Sequence, residues 1–134
     1  MKEIAFNIVE HAFAGKKDKA GMPYIEHLKR VSDAYNAEPL KTIGLLHDLL
    51  EDCPEWTEGA LRALFPGYIV DAVIILTKKQ HQTYYSYIKS VKTNNLARLV
   101  KIKDLEDNLL PWRFPLDEKQ KVKYESALKD LLNT

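Results

Sequence analysis

Cysteine is nearly absent: Cys53 is the one thiol in 134 residues. An internal disulfide is therefore excluded, and a reducing, cytoplasmic setting is expected. Glycine and proline are scarce, at five and six residues, and they punctuate helical patterns rather than form linkers or low-complexity tracts. No segment approaches the roughly 20 apolar residues that a membrane-spanning helix needs. The first residues carry Glu3 and Asn7 with no long apolar run, unlike a signal peptide. An excess of one charge sign is also missing. Twenty basic against nineteen acidic residues leave a net charge of +1, so no global field points to nucleic acid or a membrane surface. The apolar content of 46% is ordinary and argues against disorder. Residues 1–134 are expected to form one domain around one core.

What is present reads as helix. Ile4, Ala5, Ile8, Val9 and Ala12 recur at helical spacing, predicting a first helix to about Ala14. A basic loop, GKKDKAGMP, follows from Gly15 to Pro23. Pro23 opens a second helix from Tyr24 to about Ala34. Pro39 opens a third, with Ile43, Leu46, Leu49 and Leu50 facing the core, and Pro54 ends it soon after Asp52. Thr57 can cap a short helix through Phe65, which Pro66-Gly67 breaks. Ile69 to Thr77 is β-branched enough for a strand, but no partner strand exists, so a buried helix is expected. Further helices are expected over Tyr84–Val91, from Asn94 to about Leu109 with Leu96, Val100 and Leu105 in the core, and from the capping pair Asp117 and Gln120 to about Leu132. Pro111 and Pro115 bracket a loop between the last two. The expected class is all-α, an irregular helical bundle.

Three of these helices carry suspicious polar groups. In LLHDLLED, residues 45–52, an adjacent His47-Asp48 pair interrupts an apolar run. An unpaired Asp48 between Leu46 and Leu49 would bury charge at a large cost. A divalent cation removes that cost, and imidazole and carboxylate are standard ligands for one. On a continuous helix Asp48, Glu51 and Asp52 share one face, and His47 and Glu51 are neighbours. His27 closes GMPYIEH. KIKDLEDN carries Asp104 and Asn108, in a stripe with Arg98 and Lys101 whose basic end could meet phosphates. Taken singly, each has a plainer reading. His27 would be a satisfied histidine, Glu51 and Asp52 a solvated helix end, and Asp104 a partner for a nearby lysine. His11 and His81 read as structural or surface residues, Tyr84, Tyr85 and Tyr87 as packing and surface residues, and Cys53 as an unreactive bystander. The joint pattern carries the argument.

That pattern resembles the HD superfamily of metal-dependent phosphohydrolases. Within it, the chain is most similar to the hydrolase domain of the RelA/SpoT-type alarmone enzymes and their small stand-alone relatives. AGKKDKAGMPYIEH resembles the opening block, LLHDLLED the HD signature with its trailing Glu-Asp pair, and LARLVKIKDLEDNL the closing block. The pieces stand in the family's order, from the first helix to about Leu110. The resemblance implies that His27, His47, Asp48 and Asp104 ligate one divalent metal, typically Mn2+ in the family. It implies that Glu51 and Asp52 orient or deprotonate the attacking water. It places Asn108 near the substrate sugar, and Lys19 at the nucleotide-binding edge.

The departures cluster at that edge. Asp18 stands where alarmone hydrolases usually carry an arginine that packs on the guanine base. Lys16 replaces a glutamine, Phe13 a histidine, and Leu28 a proline. An acidic Asp18 cannot make the cation–π contact of an arginine. No synthetase-like or regulatory region is expected. The expected function is metal-dependent phosphohydrolysis of a nucleotide, with (p)ppGpp as one candidate. Another nucleotide or phosphate monoester is the alternative, and a nucleotide-binding module without catalysis a third reading. The expected partner is a small phosphorylated molecule, not a nucleic acid or a membrane.

Overall fold

At Gly44 one helix backbone approaches another, at Ser32. A Cβ added there would lie 2.9 Å from the Ser32 Cα and 3.0 Å from its nitrogen, so only glycine lets these two helices meet backbone to backbone. The computed structural model describes residues 1–113 and 115–133. Phe114, inside the loop expected between Pro111 and Pro115, lies outside the described residues, as does Thr134.

Among the described residues there are nine helical segments: α1 (Lys2–Ala12), α2 (Ile25–Asp33), α3 (Leu40–Leu46), α4 (Leu49–Asp52), α5 (Glu58–Arg62), α6 (Gly67–Leu76), α7 (Tyr84–Lys92), α8 (Asn95–Asn108) and α9 (Glu118–Leu132). Their only β pairing is an isolated bridge, Lys17 to Pro23, which closes the basic loop on itself. The class is all-α, as expected. Side chains cap α5, α7, α8 and α9: Thr57, Thr83, Asn94 and Asp117 each accept from a backbone N–H of the first turn. The segment from Ile69 is the expected buried helix, with Ile69, Val70, Ala72, Val73 and Leu76 inside. Ile4 departs from its periodic reading and is half exposed, while Ala5 and Val9 face the core. None of these helices is long and apolar enough to cross a membrane.

One helix prediction needs correcting. The continuous third helix is two, broken at His47 and Asp48. Asp48 has φ −105° and ψ 0° and caps α4. The Gly44 carbonyl, which a continuing helix would offer to the Asp48 N–H, accepts from His47 Nδ1 at 2.6 Å. The break also changes directions. Consecutive side chains on an unbroken helix diverge by about 100°, which would start His47 and Asp48 in different directions. After the break both face one point.

Candidate metal centre and active site

α2, the α3–α4 break and α8 each bring polar side chains to one buried spot. His27, His47 and Asp104 are buried, at 1, 2 and 3% exposure, and Asp48 nearly so. One ligand atom from each of the four lies within 4.8 Å of all the others. His27 Nε2 lies 2.9 Å from Asp104 Oδ1 and 3.7 Å from Asp48 Oδ2. His47 Nε2 lies 3.2 Å and 3.1 Å from the same two oxygens. All four sequence-predicted ligands therefore converge.

The other ring nitrogens decide what faces the centre. His47 Nδ1 meets the Gly44 carbonyl, which can only accept, so Nδ1 carries a proton. His27 Nδ1 lies 2.6 Å from Asp107 Oδ2. Arg30 donates to Asp107 through Nε (2.6 Å) and Nη2 (3.1 Å). These contacts and His27 hold the Asp107 carboxyl down at about 2 against its burial. An ionised Asp107 can only accept, so His27 Nδ1 is also the protonated nitrogen. In the neutral rings both Nε2 atoms thus turn lone pairs toward two carboxylates. His27 Nε2 is buried with no hydrogen-bond partner. Such a cluster needs positive charge at its centre. A proton can supply some of it: burial alone would lower the His47 pKa, but Asp48 and Asp104 outweigh burial and raise it well above the ordinary value. Two carboxylates and two imidazole nitrogens also match a divalent cation in charge and donor type. The four residues could hold a metal ion.

Neighbours hold the carboxylates. Tyr24 donates its hydroxyl to Asp48 Oδ2 at 2.7 Å. Lys101 Nζ lies 2.7 Å from Asp104 Oδ2 and Asn108 Nδ2 donates to Asp104 Oδ1 at 3.3 Å. Burial opposes the Asp104 charge, yet Lys101 and the imidazoles keep its carboxyl well below the usual carboxylate range.

The cluster opens into a cavity of about 380 Å³. Asp48, Asp104 and Glu51 line its acidic side; Lys17, Lys19, Lys78, Lys101 and Arg113 supply cations. Glu51 accepts from the Lys78 N–H at 3.0 Å. Burial and the Asp48 charge raise its pKa, partly offset by that bond. Asp52 is not among the lining residues. It stays exposed, and its pKa rises to about 6 through lost hydration and the charges of Asp48 and Glu51. The shared face expected for Asp48, Glu51 and Asp52 is thus split by the helix break. Arg98, expected on the cavity stripe, donates instead to the Leu131 carbonyl at 2.8 Å. Lys16 reaches back to the Asp52 carbonyl at 3.0 Å.

Asp18 differs most from expectation. Its Oδ1 accepts from Ala20 N (2.9 Å) and Met22 N (3.0 Å), shaping its own loop. Its Oδ2 lies 3.6 Å from Arg113 Nε, with both side chains almost fully buried. The carboxylate is spent on structure and neutralised, so it does not simply repel phosphate. Arg113 escaped the sequence reading. It lies in the loop after α8, donates to Asn108 Oδ1, and sits 5.8 Å from the Tyr24 ring centroid. Tyr24 and Asp107 lay inside quoted motifs without a role, and Gln120 and Tyr124 of α9 also line the cavity. No local pattern marks such residues. His11 and His81 are exposed, as expected of surface residues. Tyr87 is a packing residue that donates to the Leu76 carbonyl, Tyr85 is 70% exposed, and Tyr84 lines the cavity.

Neither a family model nor a curated protein matches the chain. A solved structure does. It is described as a metazoan ortholog of SpoT that hydrolyzes ppGpp and plays a role in starvation responses. The match has a TM-score of 0.79 at 20% identity, over 98% of this chain and 85% of that one. The chain has the all-α HD-domain fold. At this identity the likeness carries the fold, and the ppGpp activity is that of the neighbour.

Proposed function

We propose that this protein is a divalent-metal-dependent phosphohydrolase acting on a nucleotide. The observation that supports it most is the convergence of His27, His47, Asp48 and Asp104, with both Nε2 lone pairs turned inward. His27, His47, Asp48 and Asp104 are the residues that would hold the ion, with Mn2+ the expected metal. A bound divalent ion supplies positive charge for a phosphoryl oxygen and acidifies water.

The chain's own residues do the rest. Glu51 lines the same cavity with a raised pKa. It accepts a proton from the attacking water at its carboxylate, a task suited to a base poised nearer neutrality. Asp52, one residue on, is the second carboxylate in this role and orients that water. Lys17, Lys19 and Lys78 draw the phosphates into the cavity. Lys101 and Asn108 hold Asp104 in place, and Asn108 also faces the substrate sugar. The reaction is attack of water on phosphorus with departure of the ester oxygen. On ppGpp, cleavage at the 3′ position releases pyrophosphate.

A different nucleotide or phosphate monoester is the second reading, favoured by the loop at Asp18. That position, where an arginine would stack on guanine, is turned inward to Arg113. A screen of ppGpp, nucleoside phosphates and sugar phosphates with Mn2+ added decides between them. Release of pyrophosphate from ppGpp supports the alarmone reading. Turnover of another phosphate alone favours the second, and no turnover of any leaves a non-catalytic binder.

A further inference from the structure

Asp107 is the hub of a buried charge network beside the proposed metal ligands. One carboxylate oxygen lies 2.6 Å from His27 Nδ1; the other accepts from Arg30 Nε at 2.6 Å. Arg113 approaches the same carboxylate, its Nε 3.5 Å from Asp107 Oδ2. Arg113 in turn is anchored by Asp18 of the basic loop and Asn108 of α8. Arg30 rests against the Trp112 ring at 5.1 Å. Two guanidinium groups thus fix a carboxylate that itself grips one imidazole.

We propose that Asp107 is a positioning residue that sets the tautomer of His27 and tunes cation affinity, with Arg30 and Arg113 as its clamp. This rests on the metal-site reading above. A ring held only by packing can rotate and can carry its proton on either nitrogen. If Nε2 carries it, an N–H points into the cluster and no lone pair is available. Asp107 accepts from Nδ1–H, which leaves Nε2 as the ligand atom and makes the ring a stronger donor. Loss of such an orienting carboxylate generally weakens metal binding by about 10- to 100-fold. The clamp also ties His27 to the basic loop through Arg113 and Asp18.

The test compares Mn2+ dissociation constants, read from the free-ion resonance, for wild type, Asp107→Asn and the core variant Leu131→Ala. Asp107→Asn is expected to weaken Mn2+ by about 10- to 100-fold, while Leu131→Ala, destabilised but remote from His27, keeps wild-type affinity. Unchanged affinity in Asp107→Asn, or equal losses in both, overturns the proposal. Should Asp107→Asn fail to fold, Arg30→Lys keeps the charge but loses the fork, and a weakening of several-fold is expected; none overturns the clamp. A second readout needs no metal. In EDTA-treated wild type, His27 Nδ1 should give a downfield proton resonance that Asp107→Asn shifts or abolishes. A wild type that binds no divalent ion but shows this resonance sinks the metal site and keeps the tautomer role. A wild type that lacks it overturns the tautomer role itself.

Discussion

Tyr24 gives its hydroxyl proton to Asp48 Oδ2 at 2.7 Å, tying the first turn before α2 to the break between α3 and α4. Burial and the Asp48 charge push the Tyr24 pKa far upward, so the group only donates. Tyr24→Phe leaves Asp48 short of one partner in a nearly dry site. The expected loss is roughly 1.5–3 kcal/mol, typical of a hydrogen bond to a charged group. Urea denaturation measures it, and an unchanged midpoint would show that the bond adds no net stability.

His47→Ala and Asp104→Ala each remove one ligand and one part of the buried charge balance. Both should lose metal and activity together. Elemental analysis of purified variants checks this, and full metal occupancy in either would remove that residue from the ligand set.

Glu51→Gln keeps shape and metal but cannot take a proton. The expected effect is a fall in kcat of roughly 100- to 10,000-fold with little change in substrate binding. Asp52→Asn should show a smaller fall, because Asp52 lies outside the cavity lining. Equal effects of the two substitutions would abolish the ranking proposed for them, and unchanged turnover in Glu51→Gln would remove Glu51 from the chemistry.

Asp52 also predicts a pH dependence of stability in the metal-free protein. Its folded pKa of about 6 lies above the ordinary 3.8, so ionising it opposes folding. Above about pH 6 the carboxylate is charged in both states and the penalty is full. Between there and 3.8 the folded form takes its proton first and the penalty is released. Asp52→Asn should therefore raise the Tm of EDTA-treated protein at about pH 7 and much less at about pH 4.5. Thermal scans at the two pH values decide it, and a gain that does not change with pH would contradict the shift.

The inward turn of Asp18 changes what Asp18→Arg should do. The substitution removes an acceptor from two loop N–H groups and sets a second guanidinium against Arg113. Stability should fall by roughly 1–3 kcal/mol, as for buried groups left unpaired. Wild type should prefer ppGpp over its adenine counterpart only weakly, since Asp18 cannot make the cation–π contact of an arginine, worth about 0.5–1 kcal/mol when exposed. The measurement is kcat/KM for both compounds. A strong guanine preference in wild type that the substitution leaves intact would place base reading elsewhere in the cavity.

Much was legible before the fold. Apolar periodicity and capping residues located the helices, because both are local: a helix face and a cap are set within a few residues. His47 and Asp48 were legible because charge and imidazole in an apolar helical run conflict with burial unless something joins them, whereas His27 and Asp104 were expected beside them only through the resemblance to the HD superfamily. The helix break was not legible, since it depends on a side chain of one residue taking the carbonyl that the backbone ladder would use. Nor were Asp107 and Arg113. An acidic residue on a helix and an arginine in a loop look solvated in one dimension, and only packing buries them together, 3.5 Å apart. The sequence by itself determined the helical class and the donor types available to an ion. The tertiary structure alone decided which nitrogens face that ion, that Glu51 rather than Asp52 lines the cavity, and that Asp18 is neutralised by Arg113. Those outcomes rest on contacts between distant segments, whose distances and directions no spacing along the chain encodes.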